Sequence, residues 1–172
     1  MKAYLAGKIL KGDEIGKRKD WREEYDNILS SIGIGILSPH DPSLDESDVM
    51  QIFGHDCFLV KKADMIIVNA TEKLGAGTAQ EMVIAKLYAK FVISVVPIDS
   101  HYHRRNLVME CGIIENWLHP FISSFSDLIV NSPSDLALKL KDINMSDMRV
   151  KTISIVEDAI DYYIKRRDNF GK

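Results

Sequence analysis

Met65-Ile66-Ile67-Val68 is a nearly continuous apolar run that stops at Asn69, with Gly75-Ala76-Gly77 close behind. A strand with one wet face alternates apolar and polar positions. An unbroken run of strand length belongs to a central parallel strand covered on both faces. Such a strand requires helices above and below it, and the rest of the chain supplies them. Ala3 to Ala6 reads as a first strand ending at Gly7, and Trp21, Tyr25, Ile28, Leu29 and Ile32 fall at helical spacing up to a cap at Gly33. Ile34 to Leu37 is a second strand, Ser38 to Ser47 with two prolines is a loop, and a helix follows from about Asp48 through Lys62. Beyond Met65 to Val68, Gly75 opens a helix to about Ala89, Phe91 to Val96 is a strand, and Leu107 to Trp117 is expected as a helix. Leu128 to Val130 is a fifth strand, and Ser134 to Leu140 and Ile153 to Ile164 close the chain as helices.

Strands alternating with helices predict a three-layer α/β fold, an open, mainly parallel five-stranded sheet with helices on both faces, flavodoxin-like or Rossmann-like. At 172 residues the whole of 1–172 is expected to form one domain. Ligands of such sheets bind beyond the carboxyl ends of the strands. Attention therefore falls on Gly7 and Lys8, Pro39 to Asp41, Asn69 to Thr78, and Pro97 to Arg105.

A formal net charge of −3 gives no reason to expect a nucleic-acid polymer as partner. The longest apolar run, Phe91 to Pro97, is broken by Ser94 and is far short of a membrane span, so no membrane partner is expected. Only Met1 and Lys2 precede the strand-like run at Ala3, so no signal peptide is expected either. Cys57 and Cys111 have no metal or redox spacing and are expected as buried thiols of a reducing, cytoplasmic compartment.

The sharpest chemical signal runs from Asn69 to Glu81. A buried strand ends, glycines allow close backbone approach, and the free N–H groups of a helix start suit an anion or a sugar hydroxyl. Glu81 follows about a turn later. On residue type alone it either faces the crevice or merely complements the helix dipole. The loop carries neither a Walker motif nor a dinucleotide fingerprint. Asp56 sits in mid-helix beside His55, where a short carboxylate opposes helix propensity, and such a rule-breaker invites a functional explanation. Asp64, just before Met65, has the placement of a structural cap. Tyr4 is either an ordinary sheet aromatic or a hydroxyl aimed at the crevice.

In order and spacing, Ala3-Tyr4-Leu5-Ala6-Gly7, then Asp56 with Ala63-Asp64, then Gly77-Thr78-Ala79-Gln80-Glu81 with Lys90 beyond, resemble the nucleoside 2-deoxyribosyltransferase family. The related 2'-deoxynucleoside 5'-phosphate N-hydrolases are similar too, over roughly residues 3 to 112. The resemblance implies Glu81 as nucleophile, Asp56 as the group assisting the leaving base, and Tyr4 as orienter of the nucleophile. Gly7, Lys8, Gly75, Gly77 and Thr78, at strand ends and a helix start, are expected to bind the substrate, and the resemblance implies Asn106 reaching into a neighbouring subunit's site. It further implies a homo-oligomer of dimer size or larger. The partners would be a small nucleoside or nucleotide and a free nucleobase, with no metal and no organic cofactor.

The residue types suit that chemistry. A carboxylate that attacks an anomeric carbon divides one hard displacement into two, provided a second group protonates the leaving group. Asp56 then needs a raised pKa, and Glu81 must ionise, which a helix amino end favours. The sequence also departs from the family. Where the transferases carry an aspartate six residues before the nucleophile, this chain has Gly75, with Glu72 or Glu14 as the candidate replacements. Where the hydrolases have a Gly-Ser-Ile-Arg-Gly-Gly turn, it has Gly7-Lys8-Ile9-Leu10-Lys11-Gly12, and Lys73 occupies a serine position. Substrate identity is left open by these changes: transfer to a base, hydrolysis, or a non-catalytic nucleotide sensor on the same fold. His101 to Arg105 reads either as an anion site or subunit contact or as a solvated basic loop; a metal on His101 and His103 would need further ligands. Ile153, Val156, Ile160 and Tyr163 share one helical face, expected as core or as an oligomer seam.

Overall fold

A computed structural model describes residues 1–10, 16–17, 19–143 and 148–169. The element order is β1 (Lys2–Ala6), α1 (Trp21–Ser30), β2 (Gly35–Leu37), α2 (Val49–Lys62), β3 (Met65–Asn69), α3 (Ala76–Leu87), β4 (Phe91–Val95), β5 (His103–Met109), β6 (Gly112–Leu118), α4 (Pro120–Phe125), β7 (Leu128–Val130), α5 (Pro133–Asp142) and α6 (Ile155–Asn169). Strands β2-β1-β3-β4-β7 form one sheet in that order, and every neighbouring pair is parallel. This is the flavodoxin-like order, in which the chain turns back on itself between β1 and β3.

The pleat sorts the core into two layers. Ala3, Leu5, Met65, Ile67, Phe91 and Ile93 face Tyr25 and Leu29 of α1 and Leu136 and Leu140 of α5. Tyr4, Ala6, Ile66, Val68 and Val92 face Val60 of α2, Met82 and Ala85 of α3 and Ile122 of α4. Met65 to Val68 are fully buried, as the unbroken apolar run requires. Each such side chain contributes about 1.5–3 kcal/mol by leaving water. Asp48 caps α2 through the N–H groups of Met50 and Gln51. Asp64 takes the structural role expected of it: its carboxylate accepts from the Lys2 N–H at 2.7 Å and its own N–H donates to the Lys2 carbonyl at 2.9 Å, which sets the start of β1 against β3.

Two expectations are corrected. Leu107 to Trp117 is not a helix but the greater part of an antiparallel hairpin, registered from His103 opposite Leu118 to Met109 opposite Gly112. Leu107 and Ile114 are seven apart and Ile113 and Trp117 four apart, which imitates a helix. In the hairpin Leu107 pairs with Ile114 on the less exposed face, while Val108 (78% exposed) pairs with Ile113 (68%) on the other. Gly112, at φ 117°, makes the turn after Glu110 and Cys111. The second correction is Cys111, which lies exposed in that turn; Cys57 on α2 is only half-buried. For α6, expected as core or as an oligomer seam, the exposure of Val156, Ile160 and Tyr163 excludes the core alternative.

Candidate active site

The turn-back between β1 and β3 leaves a crevice beyond their carboxyl ends, where neighbouring connections diverge. Tyr4, on the β1 face that meets α2 and α3, has no exposed surface, and its hydroxyl donates to Glu81 Oε1 at 2.6 Å. Glu81 is the sixth residue of α3, in the second helical turn rather than the first. A carboxylate that served only the helix dipole would stand exposed in the first turn. Glu81 is instead folded inward against a buried phenol.

Electrostatics tie the site together. Burial pushes the Glu81 carboxyl up to about 7; Asp56 adds to the rise, while the Tyr4 hydrogen bond and the charge of Arg22 oppose it. Burial therefore works against the ionisation that the helix amino end was expected to favour. Asp56 is also raised, chiefly by burial, with His55 and Arg22 pulling the other way. His55 Nδ1 lies 3.3 Å from Asp56 Oδ1. Tyr4 is held firmly protonated by burial and by the Glu81 charge beside it. The structure thus brings Tyr4, Asp56 and Glu81 from three elements into one electrostatic unit.

The surrounding loops line two cavities. One, beside Asp56, is bounded by Ile9, Pro39, His40, Asp41 and Ile52. The other, on the α1 side, is bounded by Lys8, Lys19, Trp21, Thr71, Glu72 and Lys73. Lys8 Nζ is 4.0 Å from Glu72, which places that carboxylate on the α1 side of the crevice. Glu14, Lys11 and Gly12 lie outside the described residues.

The glycines divide by cause. A Cβ on Gly7 would stand 2.6 Å from the Trp21 ring, so packing alone requires glycine there. Gly75 caps α3 without a side-chain hydrogen bond at an ordinary φ of −73°, and a Cβ on Gly75 or Gly77 would meet nothing within 4 Å. Neither strain nor packing asks for glycine at 75 or 77, and the bare backbone there leaves room over the helix start, next to the buried Thr78.

Asn106 is not brought to this cluster. It is exposed on β5 opposite Glu115. The His101 to Arg105 segment is not a solvated loop throughout, for Tyr102 and His103 are buried at the hairpin root. The Tyr102 hydroxyl accepts from the Leu74 N–H at 2.7 Å and steadies the loop that leads into α3. His103 Nε2 lies 2.8 Å from Asn116 Oδ1. Among the described residues no three His, Cys, Asp or Glu side chains gather as metal ligands would.

Sequence reasoning passed over Arg22, which is 6% exposed and faces Tyr4, Asp56 and Glu81 electrostatically. A signal was present. A cation in the first turn of a helix opposes the dipole, the same kind of broken rule that drew attention to Asp56.

No protein-family model matches the chain, and no curated protein matches its sequence. Solved structures do match in shape. A 2-deoxyribosyltransferase of Bacillus psychrosaccharolyticus superposes with a TM-score of 0.58 at 14% identity, covering 88% of this chain and 98% of that one. A CMP N-glycosidase of Clostridium botulinum gives 0.53 at 16% identity, over 83% and 100%. A 2-deoxyribosyltransferase of Leishmania mexicana gives 0.54 at 15% identity, over 81% and 97%. The chain has the three-layer α/β fold of these enzymes.

Proposed function

We propose that the protein is an enzyme that cleaves or exchanges the N-glycosidic bond of a (deoxy)nucleoside or its 5'-monophosphate through a covalent glycosyl–Glu81 intermediate. The observation that carries this reading is the Tyr4 hydroxyl on Glu81 Oε1 at 2.6 Å with Asp56 alongside, in the crevice where this fold binds ligands. Tyr4 occupies Oε1, so Oε2 is the free attacking oxygen. Oε2 bonds to the anomeric carbon as the bond from that carbon to the base nitrogen breaks. The electron pair goes to the base, which takes a proton from Asp56, whose burial favours the protonated form. A second nucleobase then attacks the same carbon through a ring nitrogen, that nitrogen's proton passes to the Asp56 carboxylate, and the glycosyl ester breaks to release ionised Glu81. Gly75, Gly77 and Thr78 leave backbone space for the sugar, and Gly7 and Lys8 form the opposite wall.

A second reading, hydrolysis of a 2'-deoxynucleoside 5'-phosphate with water as acceptor, is favoured by one feature. Three lysines, Lys8, Lys19 and Lys73, line the cavity on the α1 side, where a phosphate would be welcome. A non-catalytic sensor has no need of two partly buried carboxyl groups side by side, whose charged forms hinder each other.

A chromatographic screen of nucleosides and their 5'-monophosphates, each with and without a second free base, tests the proposal. Release of free base only when an acceptor is present supports transfer. Release from monophosphates in water alone supports hydrolysis, and binding with no release at all leaves the sensor.

A further inference from the structure

We propose that Arg22 is a positioning residue of this site, a buried guanidinium that fixes the turn after β1 from beneath and supplies the positive charge facing the Tyr4–Asp56–Glu81 cluster. Its two terminal nitrogens reach three acceptors. Nη2 donates to the Gly7 carbonyl at 3.1 Å, Nη1 to the Lys8 carbonyl at 3.1 Å, and Nη1 also lies 3.4 Å from the carboxylate of Asp20. Trp21 completes the clamp. Its Nε1 donates to the same Lys8 carbonyl at 2.9 Å, its ring packs on Gly7 too closely for a Cβ, and the Arg22 guanidinium sits 4.5 Å from its ring centre.

Two consequences follow from peptide geometry and charge. In a trans peptide the C=O and the next N–H point in opposite directions. Drawing the Gly7 and Lys8 carbonyls toward α1 therefore turns the Lys8 and Ile9 N–H groups away from it. Ile9 lines the cavity beside Asp56, so the turn is held at the edge of the carboxyl cluster. A lysine cannot replace this fork, because one ammonium is a point donor without the planar geometry that spans adjacent carbonyls.

The charge is as specific as the fork. The groups facing Glu81 are Tyr4 from β1, Asp56 and Cys57 from α2, and Arg22 from α1, with His55 behind Asp56. Among the described groups that act on Glu81, Arg22 is the one cation. Two neighbouring carboxyl groups hinder each other's ionisation, and Arg22 offsets this at the residue that must ionise. That last statement rests on the reading of Glu81 as nucleophile; the clamp and the charge do not.

Carboxyl-carbon NMR titration of Glu81, assigned by the signal missing in Glu81→Gln, separates the two questions. Arg22→Gln is expected to raise the Glu81 midpoint by about one pH unit, the low end of the effect of an adjacent opposite charge. Arg22→Lys is expected to leave the midpoint near that of the wild type, yet to lower kcat/KM by about tenfold, chiefly through KM, as loss of a positioned binding wall does. Arg22→Met, which fills similar buried space, replaces the glutamine variant if that does not fold. A Glu81 midpoint unmoved in a folded, uncharged variant overturns the proposal, and so does an Arg22→Lys enzyme with wild-type KM. Should the wild type act on no nucleoside or nucleotide, the N-glycosidic reading fails, while the titration still decides the role of Arg22.

Discussion

At the residue scale the site rests on a conflict between folding and function. The Glu81 carboxyl is raised from 4.5 to about 7, so the folded state binds its proton more tightly than the unfolded chain does. For an acid with a raised folded pKa, the stability contribution is complete below about 4.5 and is lost as pH climbs toward 7. Carrying the ionised group above that range costs on the order of 3 kcal/mol. Glu81→Gln keeps the shape and an oxygen for Tyr4 but has no charge to bury. It should be more stable than the wild type by about 2–3 kcal/mol at pH 8 and equal to it near pH 4, as read from urea unfolding at both values. Equal stability at pH 8 would show that Glu81 ionises without penalty. Asp56 is tested through its leaving group. Asp56→Asn should slow substrates with poor leaving bases most, and equal losses for good and poor leaving bases would reduce Asp56 to a positioning group. Of the three candidate residues only Asp56 stood out by breaking a local rule; Tyr4 and Glu81 each had an ordinary local reading, and the resemblance in order and spacing singled them out together. Arg22 also broke a local rule and was overlooked because the apolar spacing around it accounted for α1 on its own. The Glu81 pKa was not legible at all, since burial depends on three elements folded together.

At the scale of elements, sequence alone located the five parallel strands and most of the helices, and it failed at the hairpin. Periodicity over eleven residues is weak evidence when the strands are exposed, because no buried face enforces alternation. The β-branched Val108, Ile113 and Ile114 and the glycine at 112 carried the better signal. A second element-scale feature was invisible for the opposite reason. Lys86 falls in the last turns of α3, where a lysine is ordinarily solvated, yet it is fully buried and paired with Asp127 just before β7. Asp127 also accepts from the N–H groups of Val92 and Lys151, each at 2.7 Å, so one carboxylate joins α3, β4 and the segment before α6. Burial lowers the Lys86 pKa and Asp127 opposes the fall. Asp127→Ala leaves a buried ammonium and two N–H groups without their acceptor and should cost about 3–5 kcal/mol of unfolding free energy. A loss below about 1 kcal/mol would mean that water reaches Lys86.

At the scale of the whole molecule, the layered core explains the sheet but leaves apolar surface unaccounted for. Val49, Met50 and Phe53 on α2, Val108 and Ile113 on the hairpin, and Phe121 on α4 are all exposed. Among the described residues no helix is long and apolar enough to cross a membrane. A homo-oligomer in which the hairpin carries Asn106 to a neighbour's crevice would cover part of this surface, and a closed symmetric assembly would make the exchange reciprocal. On that proposal Glu81→Gln and Asn106→Ala are each inactive alone. Mixed under conditions where mass measurements show subunit exchange, they should recover part of the activity, because some interfaces then hold one intact composite site. No recovery would assign Asn106 to its own chain or to no site. Such an assembly is not legible in one chain's periodicity, since an exposed arm and an interface arm look alike until a partner is present. The central claim is that Glu81 is the covalent nucleophile, and the turnover rate of folded Glu81→Gln on the best substrate of the screen tests it most directly. The expected result is a loss of several powers of ten, as removal of a covalent catalyst implies, whereas activity within about tenfold of the wild type would rule out Glu81 as nucleophile.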